Sequence, residues 1–215
     1  MKITIINGSP RLEKSNSESA VKIIYPYIKN NEIKLFRIRE SESYEAIFEE
    51  IAESDALLFA VPLYCDGIPS FVLRFLIAMQ EKVRFSREIK VYCVINCGLY
   101  EGEHNRAAIG QMKIWCKTVG LNWGQGVGIG TGDMLSFIEA RNYGESICKT
   151  IYNSLIALAR NLNERKNAED KFVTSDFPRF LWRILSAKSW FKRAKGNELR
   201  FKELFRKCDV GLTRK

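Results

Sequence analysis

The sequence is poor in the residues that build metal centres and disulfide frameworks. It has one histidine, His104, and six cysteines, and no two cysteines form a Cys-x-x-Cys pair. This distribution argues against a zinc site or a disulfide scaffold, and it is typical of reduced thiols in a cytoplasm. We therefore predict that the protein has no metal site.

Long apolar runs are also missing. No stretch approaches the roughly 20 apolar residues that a membrane-spanning helix needs. The sequence starts with a strand-like run that is too short for the apolar region of a signal peptide. These two features predict a cytoplasmic protein. With 215 residues, 46% of them hydrophobic, the chain can bury one good core, or one core with an appendage.

Negative charge is scarce in one part of the chain only. Residues 1–170 contain 21 Lys+Arg and 21 Asp+Glu, whereas residues 171–215 contain 13 Lys+Arg and 4 Asp+Glu. The last 45 residues therefore carry the whole net charge of +9, since 13 − 4 = 9. Such a change in composition indicates a boundary. We predict one domain over residues 1–170 and a basic, amphipathic helical extension over residues 171–215.

What the sequence does contain is a regular alternation of strand and helix patterns. Apolar runs predict strands over residues 2–6, 32–38, 56–61, 89–95 and 121–129. Apolar residues at helical spacing predict helices over residues 16–30, 44–54, 71–83, 105–119 and 143–163. Such alternation builds a parallel sheet with helices on both faces. Ligands of these folds bind beyond the carboxyl ends of the strands, so the loops after strands one, three, four and five form the candidate site.

The first of these loops has the composition of a phosphate-binding site. Asn-Gly-Ser-Pro-Arg (residues 7–11) follows the strand, and Ser-Asn-Ser (residues 15–17) precedes the helical pattern. The first N–H groups of a helix have no partner within it, and the helix dipole favours an anion there. From these residues alone, a turn before an N-capped helix is an equally good interpretation. The loop is neither a P-loop nor a dinucleotide fingerprint, which points to a mononucleotide.

The loops after strands three and four are also suited to a ligand. Residues 62–69 read Pro-Leu-Tyr-Cys-Asp-Gly-Ile-Pro, so the Tyr64 ring and the backbone N–H groups of residues 63–66 can hold a flat molecule. The alternative is that Tyr64 and Ile68 pack on the sheet edge. Residues 96–105 begin with Asn-Cys-Gly, where Gly98 allows close approach to the backbone. Residues 130–133 add a further polar, glycine-containing loop to the same edge.

Together, the Gly-Ser-Pro-Arg…Ser-Asn-Ser, Pro-Leu-Tyr…Pro and Asn-Cys-Gly…Glu loops resemble those of the flavodoxin-like NAD(P)H-dependent FMN oxidoreductases. The nearest branches are the NADPH-dependent FMN reductases and the flavodoxin-like quinone reductases, and the resemblance covers roughly residues 1–160. It implies an α/β, flavodoxin-like three-layer sandwich with a five-stranded parallel sheet in the order 2-1-3-4-5. It also implies FMN as the cofactor and NAD(P)H as the co-substrate.

The resemblance also implies which residues contact the cofactor. In the family the first loop binds the FMN phosphate, and this role carries over to Ser9, Arg11, Asn16 and Ser17, with Ser15 as a further candidate. The second and third loops grip the isoalloxazine ring, and here they supply Pro62, Leu63, Tyr64, Cys65, Asn96, Cys97 and Gly98. Because the flavin itself does the redox chemistry, no side-chain base is needed and no catalytic residue is assigned.

Our first hypothesis is an FMN-dependent NAD(P)H oxidoreductase, active as a homodimer. Hydride would pass from nicotinamide to flavin N5 and on to a small acceptor such as a quinone or a flavin. Two alternatives stay open: a flavodoxin-like electron carrier, and a scaffold whose basic tail binds a membrane or a polyanion. His104 is interpreted as a solvated loop residue rather than a proton donor, and Cys65 and Cys97 as small residues beside the cofactor rather than redox-active thiols.

The basic tail carries two helical patterns, over residues 177–193 and 198–207, with aromatic and aliphatic residues interleaved with Lys and Arg. Such faces suit an anionic membrane surface or nucleic acid. The interpretation we favour is that the helices dock on the core or on a sister subunit, because the tail has enough aromatic residues to bury a face. A third interpretation is that the positive surface attracts NADPH or an acidic electron-transfer partner.

Overall fold

The chain forms two compact units, Met1–Asp176 and Phe177–Lys215. The computed structural model describes residues 1–11, 14–38, 43–141 and 147–205. The first unit holds the whole sheet and both of its helical layers. It extends to Asp176 because residues 171–173 are paired with the sheet.

A six-stranded, fully parallel sheet forms the centre of the first unit. In spatial order its strands are β2 (Glu32–Arg37), β1 (Lys2–Asn7), β3 (Ala56–Pro62), β4 (Lys90–Asn96), β5 (Asn122–Ile129) and β6 (Lys171–Val173). β1, β3 and β4 are buried at nearly every position, as expected of strands that are covered on both faces. The predicted parallel sheet and the order of its first five strands are confirmed.

The prediction of five strands is wrong, because β6 adds a sixth strand beside β5. β6 pairs with residues Val127 to Ile129. The approach depends on Gly128, since a Cβ built there would lie 2.8 Å from Cδ1 of Phe172 in β6. β6 was not predicted for two reasons. A strand of three residues is too short to show an alternating pattern, and Lys171 is the first residue of the segment that the charge distribution assigned to the extension.

Two layers of helices cover the sheet, one on each face. α2 (Glu45–Ala52), α3 (Ser70–Lys82) and α4 (Arg106–Val119) pack on one face. α1 (Asn16–Ile28), α5 (Leu135–Arg141) and α6 (Lys149–Asn163) pack on the other. The first four predicted helices are confirmed with shifts of a few residues. α5 was not predicted, because its seven residues give only two buried apolar positions, Leu135 and Ile138.

The predicted helix over residues 143–163 corresponds to α6, which begins at Lys149. Residues 142–146, where the predicted helix would start, lie outside the described residues. α6 is nevertheless the longest helix of the first unit, as its apolar pattern predicted.

The second unit contains α7 (Arg179–Gly196) and a 3₁₀ helix (Phe201–Phe205). α7 confirms the helix predicted over residues 177–193. The helix predicted over residues 198–207 is wrong where it can be compared, since residues 201–205 form the shorter 3₁₀ helix and residues 206–207 lie outside the described part. None of the described helices combines the length and the apolarity that crossing a bilayer requires.

Candidate functional site

The carboxyl ends of β1, β3, β4 and β5 bring the four predicted loops to one edge of the sheet. Asn96, the last residue of β4, joins three of these regions. Its Nδ2 donates to Oγ of Ser17 at the start of α1 (2.9 Å) and to the carbonyl of Val61 in β3 (3.3 Å). The N–H of Gly132 in the loop after β5 donates to the carbonyl of Cys97 (2.7 Å). These bonds hold all four loops together at the edge where the sequence predicted the site.

Three serine hydroxyls line the end of this site that lies between β1 and α1. Ser9, Ser15 and Ser17 are 7%, 4% and 1% exposed. Oγ of Ser9 accepts from the N–H of Arg11 (3.3 Å), and Oγ of Ser17 accepts from Asn96. Oγ of Ser15 caps α1 by accepting from the N–H of Glu18 (3.1 Å). Each hydroxyl accepts one bond, and none donates to another described residue, so its proton is left for an anion.

The first turn of α1 adds backbone donors to the hydroxyls. The N–H groups of Asn16 and Ser17 have no acceptor among the described residues, as expected for the first turn of a helix. The side chain of Asn16 is less available, because its Nδ2 donates to Oδ1 of Asp133 (3.1 Å) in the loop after β5. Asp133 was not predicted as a partner, although its loop was placed on this edge.

α5 is tied to α1 next to this turn by Glu139. The carboxylate of Glu139 accepts hydrogen bonds from Nζ of Lys22 (2.8 Å) and from Oγ of Ser19 (2.6 Å). Burial raises the pKa of Glu139, but the two hydrogen bonds outweigh burial, and the pKa lies below its ordinary value of 4.5. These contacts keep the loop after β5 close to the start of α1.

The lowered pKa of Glu139 predicts a pH-dependent contribution to stability. A carboxyl whose pKa is lower in the folded protein stabilises the fold above its unfolded pKa, and this stabilisation is lost as the pH falls through the folded pKa. We expect Glu139→Gln to lower the free energy of unfolding at neutral pH by about 0.5 kcal/mol, because Lys22 is half exposed and solvent screens the pair. Urea unfolding at several pH values measures the change. The difference from the wild type should shrink below pH 4.5, and a difference that persists undiminished in acid would contradict the assignment.

The loop after β3 contains a tight turn at its tip. Tyr64 and Gly67 exchange two backbone hydrogen bonds, each 3.0 Å long, and the residues between them, Cys65 and Asp66, have φ angles of 47° and 58°. Two successive positive φ values are typical of a type I′ turn, which costs energy when neither residue is glycine. The N–H of Tyr64 is therefore used inside the turn, and that of Leu63 donates to the carbonyl of Asn96 (2.8 Å).

Of the four backbone N–H groups predicted to hold a flat ligand, two have an acceptor within the protein. Only those of Cys65 and Asp66 lack one within the described part of the chain. The Tyr64 side chain is 46% exposed, so its ring is available for contact with a ligand rather than packed on the sheet edge. Pro62, the last residue of β3, fixes the chain direction at the entry to this loop.

The loop after β4 is closed at its base and open at Gly98. The N–H of Cys97 donates to the carbonyl of Ile129 (2.9 Å), whereas the N–H groups of Gly98 and Leu99 have no acceptor among the residues described. A Cβ built at Gly98 meets nothing within 4 Å, and Leu99 is 45% exposed. The loop therefore offers two free donors beside open space.

Asn105 stabilises the loop after β4 through hydrogen bonds of its side chain. Its side chain is fully buried, and Nδ2 donates to the carbonyls of Gly102 (2.9 Å) and Ile129 (3.2 Å). Sequence reasoning missed this role, because an asparagine directly before a helix normally indicates an N-cap. In the structure, Asn105 occupies that position before α4 but makes no side-chain cap.

The three singled-out reactive side chains differ in environment. Nε2 of His104 lies 3.5 Å from Oε2 of Glu101, and the His104 side chain is 42% exposed, which agrees with the solvated interpretation. Cys97 is buried, and its burial raises the pKa of the thiol. Cys65 is exposed at the tip of the type I′ turn.

This contrast predicts selective alkylation. At neutral pH, iodoacetamide should modify Cys65 rapidly and leave Cys97 unmodified in the folded protein, because a buried thiol with a raised pKa supplies little thiolate. Peptide mass spectrometry of a time course measures both rates, and a urea-denatured sample, in which both should react, is the control. Equal rates for the two thiols in the folded protein would contradict the described environment of Cys97.

Comparison with known proteins places this geometry in a fold family. The sequence matches no family model and no curated protein. Among solved structures, a flavone reductase is similar with a TM-score of 0.61 and 9% identity, over 79% of this chain and 66%, just under two thirds, of its own. A flavodoxin from Streptococcus pneumoniae TIGR4 has a TM-score of 0.54 and 14% identity, over 76% of this chain and 98% of its own.

An NAD(P)H:quinone oxidoreductase from Methanothermobacter marburgensis has a TM-score of 0.53 and 14% identity, over 74% of this chain and 94% of its own. Likeness at such low identity is evidence of the fold. The chain has the flavodoxin-like fold, and the resemblance found in its loops is confirmed at that level.

Proposed function

We propose that this protein is an FMN-dependent NAD(P)H oxidoreductase that reduces a small acceptor such as a quinone or a flavin. The observation that carries the proposal is the row of buried hydroxyls of Ser9, Ser15 and Ser17, each with a proton left to donate. They lie at the same sheet edge as the open loops around Tyr64 and Gly98. Solved structures of the same fold include proteins named as a flavone reductase and an NAD(P)H:quinone oxidoreductase, which supports the proposal.

The donor set fits one phosphate group. The hydroxyls of Ser15 and Ser17 and the N–H groups of Asn16 and Ser17 lie at the start of α1, where the helix dipole favours negative charge, and Ser9 adds a hydroxyl from the loop before it. Arg11 is exposed next to Ser9 and adds a permanent positive charge. A single cluster of donors suits the one phosphate of FMN.

The other end of the edge fits a planar ring. Gly98 leaves open space where any other residue would place a Cβ, and the half-exposed Tyr64 ring can cover one face of a bound ring. The free N–H groups of Cys65, Asp66, Gly98 and Leu99 can donate to carbonyl oxygens at its margin. Cys97, the first residue of the loop after β4, is buried, and its burial raises the pKa of the thiol.

Bound FMN would supply the redox chemistry by taking up a hydride from the nicotinamide and giving it to the acceptor. The protein then has three tasks, which are binding, orientation and stabilisation of negative charge. The serine hydroxyls and the first turn of α1 bind the phosphate. The free backbone donors of the loops after β3 and β4 would face the ring and would stabilise negative charge there, without a side-chain base. The homodimer and the cytoplasmic location stay predictions.

An absorbance experiment tests the proposal. The purified protein, saturated with FMN and freed of excess, should show a flavin spectrum that either NADPH or NADH bleaches rapidly under anaerobic conditions, and that a quinone restores. Slow bleaching by both nucleotides, with rapid reduction by a reductase protein, would favour an electron carrier of the flavodoxin kind. A protein that retains no flavin after incubation with FMN would contradict the proposal.

A further inference from the structure

We propose that α7 is an interfacial helix through which the protein binds the surface of an anionic membrane. The helix spans 18 residues, Arg179–Gly196, and contains six Lys+Arg and no Asp or Glu. Residues 1–170 carry no net charge, so this segment dominates the attraction to any anionic surface. Clusters of four to eight basic residues on one helix are typical of segments that bind anionic lipid headgroups.

An apolar stripe runs along the same helix. Phe180, Ile184, Ala187 and Phe191 are spaced by four, three and four residues, which places them on one face. Phe180 and Ile184 are 64% and 49% exposed. In a helix that packs into a protein core such a stripe is buried, whereas in a helix that lies in a membrane interface it enters the boundary between headgroups and acyl chains.

Further large apolar side chains on α7 are also exposed, among them Trp190 (67%) and Leu185 (55%). The guanidinium of Arg193 lies 5.8 Å from the centre of the Trp190 ring. Tryptophan next to a basic residue suits the headgroup level of a membrane, where the ring is half in hydrocarbon and the charge stays in water.

A membrane fits these features better than nucleic acid or a second copy of the helix. Phosphate backbones would attract the basic residues, but Ile184 in the apolar stripe gains nothing from a charged backbone and cannot stack on bases as an aromatic ring does. Pairing of two copies of α7 would bring together twelve basic residues with no acidic partner within either helix. An anionic membrane attracts the basic residues through its headgroups and also buries the exposed apolar stripe.

The test uses the full-length protein and vesicles of phosphatidylcholine, alone or mixed with phosphatidylserine. We expect cosedimentation with the mixed vesicles, weak binding to the neutral ones, and a blue shift of tryptophan fluorescence on binding. K188E/K192E should reduce the affinity by at least about thirtyfold, because each basic residue near an anionic surface contributes about a fivefold factor. F180S/I184S should reduce it by about tenfold or more, since both side chains lose their burial in lipid.

The matched control is K34E/K117E, which changes the net charge equally but lies on the first unit, at two exposed positions outside the candidate site. It should retain nearly all of the vesicle binding. Circular dichroism of each variant shows whether it is folded. The proposal is wrong if the mixed vesicles do not bind the protein, if F180S/I184S binds them like the wild type, or if the control loses as much affinity as K188E/K192E. Tighter binding of a DNA duplex than of the vesicles, at the same salt concentration, would overturn it in favour of nucleic acid.

Discussion

Replacing Ser15 with aspartate is expected to lower the affinity for FMN at least about a hundredfold while the protein stays folded. Ser15 is the N-cap of α1, and its Oγ accepts from the N–H of Glu18. Aspartate caps helices as well as serine does, and its charge suits the helix dipole, so the stability should not fall. The new carboxylate would, however, stand among the donors that we assign to the phosphate, where each pair of like charges about 5 Å apart costs about 3 kcal/mol.

Quenching of flavin fluorescence on titration measures this affinity, and riboflavin, which has no phosphate, separates the two ends of the site. Ser15→Asp should bind riboflavin like the wild type. Ser15→Asn is the matched control, because asparagine has nearly the shape of aspartate and caps helices equally well, but is neutral. Unchanged FMN binding by Ser15→Asp would show that the phosphate lies elsewhere. An equal loss of riboflavin and FMN would argue against a role specific to the phosphate.

The position of Ser15 could be predicted because the information is local. A buried apolar strand, a short polar loop and an Ser-Asn-Ser sequence before a helical pattern fix the chain direction and the N-cap within a few residues of each other. The same holds for the ends of β3 and β4. Their continuous apolar runs end at Pro62 and Asn96, and in a parallel sheet these ends meet at one edge.

The details of the loops around Tyr64 and Gly98 could not be predicted, because they depend on contacts between distant residues and on unusual backbone angles. The N–H of Leu63 donates a hydrogen bond to the carbonyl of Asn96, which is more than 30 positions away in the sequence. The turn has positive φ angles at Cys65 and Asp66, whereas the Asp-Gly pair that signals such a turn in the sequence lies one residue further on, at residues 66–67. Propensity and periodicity describe neighbours along the chain, so they carry no information about such partners.

The packing of β6 against the loops next to it also depends on residues that are distant in the sequence. Gly130→Ala, in one of these loops, is expected to lower the free energy of unfolding by about 3 kcal/mol or more. A Cβ at Gly130 would lie 2.2 Å from the carbonyl oxygen of Tyr100 and 2.5 Å from the carbonyl carbon of Glu101, and both are backbone atoms that no rotamer change can move. The N–H of Gly130 also donates to the carbonyl of Val173 in β6 (2.8 Å).

The loss of stability in Gly130→Ala should therefore involve more than one contact. Gly102 is equally enclosed, since a Cβ there would lie 2.4 Å from the N and O atoms of Val173. The loops after β4 and β5 and the edge strand β6 thus fit together only as bare backbone, and an added methyl must push them apart. For a chain of this size, 3 kcal/mol corresponds to a fall in Tm of about 6–12 °C, which differential scanning calorimetry measures.

Gly110→Ala in α4 is the control for this change. A Cβ there meets nothing within 4 Å, so the methyl is accommodated, and alanine in place of glycine within a helix should raise the stability by about 0.5–1 kcal/mol. The two variants add the same group and should shift Tm in opposite directions. If Gly130→Ala had the same Tm as the wild type, the loops after β4 and β5 would not be packed backbone against backbone. The hydrogen bond between Gly130 and Val173 would then contribute less to holding β6 at the edge of the candidate site than its geometry indicates.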